Sequence, residues 1–203
     1  TYKADKYYNY AKPIPDLLKK FIIGISENSN NRNKLNWQYK QKQFLNGTLH
    51  SPEQAHYMWR QFFSPEERVN ILGNKFKDLV YDTDPYFIFK KYYDKCADLE
   101  PLDRNLYVDG MTWLTDDILV KVDMTTMYSS IEARCPYLDP ELVEYAASIP
   151  AGRKMKGLKL KYILKKALKD VVPEFVINKK KSGFNSPVGT WIGANGNDEF
   201  KTF

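Results

Sequence analysis

The sequence predicts a mainly α-helical fold, and three observations support this. Helix-start signals recur along the 203 residues, each consisting of a Ser or Asp followed by Pro; the first caps a helix and the second fits its first turn. Apolar residues follow these signals at helical spacing. No stretch shows sustained alternation of apolar and polar residues between turn signals, so strands should be few.

The elements of the first half are predicted from these signals in order. A helix begins near Asp16, after Pro13 and Pro15, within DLLKKFIIGI. The polar, asparagine-rich segment 26–33 behind it is predicted to be an exposed loop. Farther along, four sites join a capping residue to a first-turn proline and predict helix starts. These sites are Ser51-Pro52, Ser64-Pro65, Asp84-Pro85 and Asp139-Pro140.

A helix with two adjacent acids is predicted over residues 116–130, with Thr115 as its cap. At about 100° per residue, Asp116 and Asp123 share one face of that helix with the apolar Val120 and Met127. A carboxylate in an apolar stripe is costly unless a partner satisfies it. Asp117 stands four residues before Lys121, a spacing at which the two side chains can pair. Two interpretations stay open: the acids are favoured by the helix dipole in a first turn, or they belong to a functional site.

A lysine-rich helix is predicted over residues 158–172. Most of its lysines lie opposite an apolar stripe of Leu, Ile, Ala and Val, as on a solvated face. Lys161 is the exception, because it lies about 20° from Leu168 on a helical wheel, at the edge of the stripe. Its side chain either extends out to solvent along its stem or points into a cleft.

The segment NKKKSGFNSP, residues 178–187, is a candidate phosphate-binding loop. Its three lysines lead into Ser182-Gly183, where glycine permits a tight backbone turn. Lys181, the last of them, is a mobile cation with three donors, suited to a polyphosphate. Taken alone, a run of this kind is more often a solvated charged surface.

The composition is that of a globular protein and excludes several classes. Hydrophobic residues make up 43% of the chain and charged residues 28%, so a buried core rather than disorder is expected. No apolar run approaches the roughly 18 residues needed to span a bilayer. The two cysteines are isolated and accompanied by two histidines, which argues against a zinc site and favours reduced thiols in the cytoplasm.

The net charge of +6 is unevenly distributed. Residues 82–145 contain 14 acidic and six basic side chains, whereas residues 146–181 contain two acidic and 11 basic ones. Because the two signs are segregated, the pattern indicates two charged surfaces facing one site rather than an even coat for nucleic acid. A nucleic-acid-binding module stays open as an alternative, and its affinity would fall steeply with salt.

The motifs WLTDDILVKVD, EARCPYLD, KYILKK and KSGF occur in that order within residues 113–192. Together they resemble the C-terminal part of the synthetase domain of glutamine-hydrolysing asparagine synthetases, which are ATP pyrophosphatases. Residues 1–112 match only loosely, as a helical segment. The resemblance implies that residues 1–203 are one helical C-terminal half of an α/β adenine-nucleotide-hydrolase-like synthetase domain. The phosphate-binding PP-loop and the N-terminal glutaminase domain of that family are not in this sequence.

The resemblance implies a ligase that uses ATP, with Mg²⁺, to amidate aspartate. Such an enzyme adenylates the side-chain carboxylate, releases pyrophosphate and lets ammonia from glutamine displace AMP. By their positions in the motifs, Lys161 and Lys181 are expected to contact pyrophosphate and the transition state, with Gly183 in the same loop. Their ammonium groups would stabilise the charge that develops there. Asp116 and Asp117 are expected on the substrate side.

Further expectations follow from the same resemblance. The enzyme should be cytoplasmic, bind neither nucleic acid nor membrane, hold no metal through side chains of its own, and be able to form a homodimer through an apolar face. The 203 residues alone should be inactive, because the family's Ser-Gly-Gly-x-Asp-Ser loop is not among them. Related enzymes use this scaffold to amidate sugars or to close β-lactams, so the acceptor carboxylate stays open. A degenerate homologue kept for interaction is a third hypothesis.

Overall fold

The structure is a computed structural model that describes residues 1–27, 37–61 and 63–179. These ranges contain helices, turns and no strand, so the predicted mainly α-helical fold is confirmed. The chain divides into two compact units, residues 1–160 and residues 161–203. Across the described ranges no helix is both long and apolar enough to cross a bilayer. Most of the loop predicted over residues 26–33 lies outside them.

The described α-helices follow one another along the chain. In the described part of the first unit they are α1 (Tyr2–Ala11), α2 (Asp16–Glu27), α3 (Trp37–Gly47), α4 (Pro52–Met58), α5 (Pro65–Leu72), α6 (Lys77–Asp82), α7 (Tyr86–Lys95), α8 (Pro101–Asp109), α9 (Val120–Met127), α10 (Pro140–Ser148) and α11 (Ala151–Lys154). A π-helical segment, Gly110–Leu119, joins α8 to α9. The second unit contributes α12 (Tyr162–Ala167) and α13 (Glu174–Asn178) to the described residues.

Two helix starts are stabilised by complete capping boxes. The Ser51 hydroxyl accepts the Gln54 N–H at 3.3 Å, and the Gln54 side chain accepts the Ser51 N–H at 3.4 Å. Ser64 and Glu67 exchange the same pair of bonds at 3.1 and 2.8 Å. The predicted starts of α4 and α5 are confirmed, because each box satisfies two otherwise unpaired donors. The starts of α7 and α10 are confirmed as well, with an aspartate accepting a backbone N–H at each.

A small core forms where α7 meets α8. Tyr93, Cys96 and Val108 are buried together there. The Tyr93 hydroxyl donates to Oδ1 of the buried Asn105 at 2.8 Å, so the polar end of the ring is satisfied inside the core. The contact holds α7 against α8, the helix that leads into the candidate site.

The helix predicted to start at Asp116 instead continues a longer helical stretch over residues 101–127, which we call the helical rod. Helix α8, the π-helical segment and α9 follow without a break from Pro101 to Met127. Thr115 is therefore not a cap, because no chain of unpaired N–H groups begins there. Its hydroxyl donates to the Thr112 carbonyl at 3.3 Å and to the Asp116 carboxylate at 3.1 Å. The predicted start at residue 116 is wrong for this reason.

The helix predicted over residues 158–172 is also shorter than expected, since α12 begins at Tyr162 and ends at Ala167. Gly157 has a φ of 58°, and the backbones of Lys156 and Lys159 exchange hydrogen bonds of 3.2 and 3.0 Å. This tight turn includes Leu158 and Lys159, the first two residues of the predicted helix. The wheel position given to Lys161 is therefore wrong, because Lys161 precedes the helix.

Gly47 on α3 leaves no room for a side chain. A Cβ atom at this position would lie 2.2 Å from Nε1 of Trp59. That indole is held in place, because it stacks on Phe44 with ring centroids 5.6 Å apart and donates to the Phe44 carbonyl at 3.3 Å.

We expect Gly47→Ala to lower the free energy of unfolding by about 1–3 kcal/mol, the usual cost of overpacking. Urea unfolding of the chain measures this. Gly24, on α2, is the matched control, because a Cβ atom there meets nothing within 4 Å. Gly24→Ala should stabilise its helix by about 0.5–1 kcal/mol, since alanine loses less backbone entropy than glycine. Equal effects of the two substitutions would contradict the close packing of Trp59.

Candidate functional site

The acidic pair Asp116–Asp117 lies in the π-helical segment. Asp116 is exposed. Asp117 pairs with Lys121 at 3.1 Å between Oδ1 and Nζ, which confirms the predicted pairing. The helix dipole acts within a first turn, whereas these acids stand in the middle of the rod. The helix dipole therefore does not explain why two acids stand at these positions.

The π-helical segment also changes the face on which Asp116 lies. A π-helix bonds each N–H to the carbonyl five residues back; it is rare, and short π-helical insertions are frequent at functional sites. Its wider turn invalidates a wheel drawn at α-helical spacing. Val120 and Met127, expected to share an apolar face with Asp116, are 53% and 54% exposed. The carboxylate of Asp116 therefore incurs no desolvation cost in the described structure.

Lys161 lies immediately before α12, with an exposed side chain and a left-handed backbone of φ 53° and ψ 39°. For a residue with a Cβ atom this conformation is uncommon and costs roughly 1–2 kcal/mol. Ser130 is the other non-glycine residue with positive φ in the described ranges. Backbone strain of this kind concentrates at functional positions, so the conformation of Lys161 is a second reason, beside its motif, to assign it a role.

The predicted site residues are distributed over both units. Asp116 and Asp117 belong to the first unit and Lys161 to the second. Lys181 and Gly183, the other two candidates, lie outside the described residues.

Directly before the π-helical segment, the carboxylate of Asp109 is the centre of a buried ionic cluster that no motif indicated. Both of its oxygens accept bonds from the Arg60 guanidinium, and the Tyr2 hydroxyl donates to one of them. The ring of His56 lies 3.2 Å from the same carboxylate through Nε2. We call Tyr2, Asp5, His56, Arg60 and Asp109 the Asp109 cluster.

His56 stands between two carboxylates in this cluster. It is 1% exposed, and its Nδ1 lies 3.2 Å from Asp5 while its Nε2 lies 3.2 Å from Asp109. Burial alone would lower the pKa of His56, but the hydrogen bonds to Asp109 and Asp5 outweigh it and raise that pKa. Burial would likewise raise the pKa of Asp109, yet His56 and Arg60 bring it below its usual value. Both shifts favour the charged forms.

The family model for asparagine synthase matches residues 5–201. The chain belongs to the asparagine synthase family. Its described residues are thus a mainly α-helical portion of an asparagine synthase domain, as the motifs predicted.

Several curated asparagine synthetases resemble the chain over about half its length. A putative glutamine-hydrolysing asparagine synthetase of Mycobacterium tuberculosis is 42% identical over 102 residues, covering 50% of this chain and 16% of the relative. Asparagine synthetase 1 of Bacillus subtilis is 39% identical over 105 residues, covering 52% and 17%. An amidase of Penicillium rubens is 35% identical over 77 residues, covering 35% and 12%. The chain thus spans about one sixth of the length of these asparagine synthetases. No solved structure matches.

Membership of the asparagine synthase family confirms the resemblance read from the motifs, but it assigns no role to single residues. The roles of Asp116, Asp117, Lys161, Lys181 and Gly183 stay predictions. The Asp109 cluster was missed because its members come from three separate parts of the sequence.

Proposed function

We propose that this chain is part of an ATP-dependent ligase that amidates the side-chain carboxylate of aspartate. The observation that carries the proposal is the match of residues 5–201 to the asparagine synthase family. Relatives named glutamine-hydrolysing asparagine synthetases support both the acceptor and the source of ammonia. We further propose a cytoplasmic enzyme; a homodimer and the lack of nucleic-acid binding are predictions of the same hypothesis.

The proposed reaction has two steps. An oxygen of the aspartate side chain attacks the α-phosphorus of ATP, and the bond to pyrophosphate breaks. Ammonia then attacks the activated acyl carbon, AMP leaves, and asparagine is formed. Negative charge grows on the phosphate oxygens during the first step, and preplaced cations stabilise it.

The described residues fit the phosphate part of this assignment through Lys161. Its ammonium group is exposed, and a lysine is a compact cation with three donors. We assign Lys161 to the transferring phosphates, and Lys181 with Gly183 to the same task on the strength of their motif. We assign Asp116 and Asp117 to the aspartate side, where an exposed carboxylate can bind an ammonium group.

Magnesium bound with ATP would neutralise charge on the phosphates. Within the described ranges no group of three or more His, Cys, Asp or Glu side chains is placed to hold a metal ion.

The test is an assay of the full natural protein with ATP, magnesium, aspartate and ammonia, following pyrophosphate and asparagine together. We expect both products to appear in equal amounts and Lys181→Ala to lose both. The 203 residues alone should release neither.

Each other outcome changes a stated part of the proposal. If pyrophosphate release requires a different carboxylate, that carboxylate replaces aspartate as the proposed acceptor. If no carboxylate supports release, the ligase proposal is wrong. In that case nucleic-acid binding that weakens steeply with salt, with losses spread over many lysines, would support the binding module instead.

A further inference from the structure

Arg60 of the Asp109 cluster contacts the helical rod over residues 101–127 at two residues just before the acidic pair. The Arg60 guanidinium bonds both carboxylate oxygens of Asp109, the last residue of α8. The same guanidinium lies 5.8 Å from the centroid of the Trp113 ring, in the π-helical segment. A bidentate bond and a ring contact at separate residues fix the rotation of a helix as well as its position. Asp116 follows Trp113 by three residues.

The charge of the cluster depends on the proton of His56. Each ring nitrogen faces a carboxylate at 3.2 Å, so both nitrogens must carry a hydrogen to donate, and the ring is then an imidazolium. Two carboxylates are balanced by two cations in that state. The groups in contact with the ring are Tyr2 and Asp5 on α1 and Asp109 on α8. Arg60, beyond the end of α4, bonds Asp109, and Tyr93 on α7 interacts electrostatically with Asp5 and Asp109.

We propose that His56 and Arg60 are positioning residues for the acidic pair Asp116–Asp117. With His56 protonated, the cluster holds Asp109 and so sets the rotation of the π-helical segment that carries the pair. When His56 loses this proton, the cluster carries an uncompensated buried negative charge, and the interactions that fix the position of Asp109 are weakened. The inference rests on the proposed function, in which this pair lies on the aspartate side.

The inference has a pH signature with a definite sign. The pKa of His56 is raised in the folded chain, so the positioning is complete below the ordinary histidine pKa and is lost as the pH rises through the raised value. The KM for aspartate should therefore rise with pH over that range. The KM for ATP should not follow it, because the lysine assigned to the phosphates, Lys161, lies off the rod.

The experiment compares His56→Gln with His50→Gln in the full natural protein, from about pH 6 to about pH 9, the range of ordinary and raised histidine pKa values. The side chain of His50 is exposed, which makes it the matched control. For His56→Gln we expect the KM for aspartate to rise about tenfold. This is smaller than the loss of rate of about 100-fold that a misplacement of about 1 Å can cause. The KM for ATP should change less than about twofold. The dependence of the aspartate KM on pH should disappear, while His50→Gln keeps it.

A milder variant covers the case in which His56→Gln does not fold. Tyr2→Phe removes only the hydroxyl that donates to Asp109, and we expect it to raise the KM for aspartate about threefold, the scale of one hydrogen bond. An unchanged KM for aspartate in the folded variants would overturn the inference. A lower melting temperature with an unchanged KM would also overturn it, because the cluster would then only stabilise the fold.

The failure of the inference is distinguishable from that of the proposed function through Asp116→Asn and Asp117→Asn. If these raise the KM for aspartate but His56→Gln and Tyr2→Phe do not, the positioning inference is wrong and the function stands. If the wild-type protein makes no asparagine, the proposed function itself has failed.

Discussion

Replacing Lys161 with alanine is expected to lower kcat/KM for pyrophosphate release by about 100- to 1,000-fold, the usual loss when one preorganised charge-stabilising donor is removed. Alanine at this position meets the same strain in the left-handed backbone conformation, because alanine, like lysine, has a Cβ atom. The loss should therefore report the ammonium group alone. The measurement is steady-state pyrophosphate release by the full natural protein.

Two companion variants separate chemistry from structure at this position. Lys166 is exposed on α12, and Lys166→Ala should retain near wild-type activity. Lys161→Gly removes the strain of φ 53° as well as the ammonium group, so it should be at least as stable as Lys161→Ala and equally inactive. If Lys161 acted only through the general positive charge of residues 146–181, Lys161→Ala and Lys166→Ala would lose similar amounts of activity. That result would remove Lys161 from the site.

Replacing Asp109 with alanine should lower the free energy of unfolding by about 3–5 kcal/mol, the usual cost of leaving a buried charge without its partner. The side chain of Asp109 is only 10% exposed, and its removal leaves the charges of Arg60 and His56 without their shared counter-charge. The tyrosine hydroxyl that donates to it also loses its acceptor. Urea unfolding followed by circular dichroism measures the effect.

Asp94→Ala is the matched control for Asp109→Ala. Asp94 pairs with Lys90 on α7 at 2.7 Å, but the two side chains are 61% and 59% exposed, so the loss should be at most about 0.5 kcal/mol. The pKa of Asp109 lies below its usual value. Its stabilising contribution is therefore present above the ordinary aspartate pKa and is lost as the pH falls through the lowered value. Equal losses in the two variants would show that the Asp109 cluster is not buried in solution.

The helix starts were predictable from the sequence because their signals are local. Ser51 and Ser64 cap through residues three positions away, so the sequence contains both partners of each box side by side. The failures have equally physical causes. The π-helical segment is only ten residues long, too short to show a periodicity distinct from that of an α-helix, so the start placed at Asp116 could not be corrected by pattern alone. The late start of α12 had one available signal, Gly157, which lies directly before the predicted start.

The candidate site is predicted from motifs, and the roles of its residues stay predictions. Asp116, Asp117 and Lys161 were identified through ordered motifs, but the wheel argument for Lys161 was wrong. The interactions of Asp109 join residues separated by 49 to 107 positions. Neither spacing nor composition links such distant residues, and only the packing of α1, α4 and α8 brings them together.

This long separation has a consequence for how the first unit folds. The hydrogen bond between Tyr2 and Asp109 closes a loop of 107 residues, whereas the capped helices between them need only neighbours. Closing a long loop costs entropy that its own contacts must offset, so contacts of this kind tend to form after local ones. We therefore expect α1 to dock late in folding, so that its packing reports whether the first unit has reached its native state.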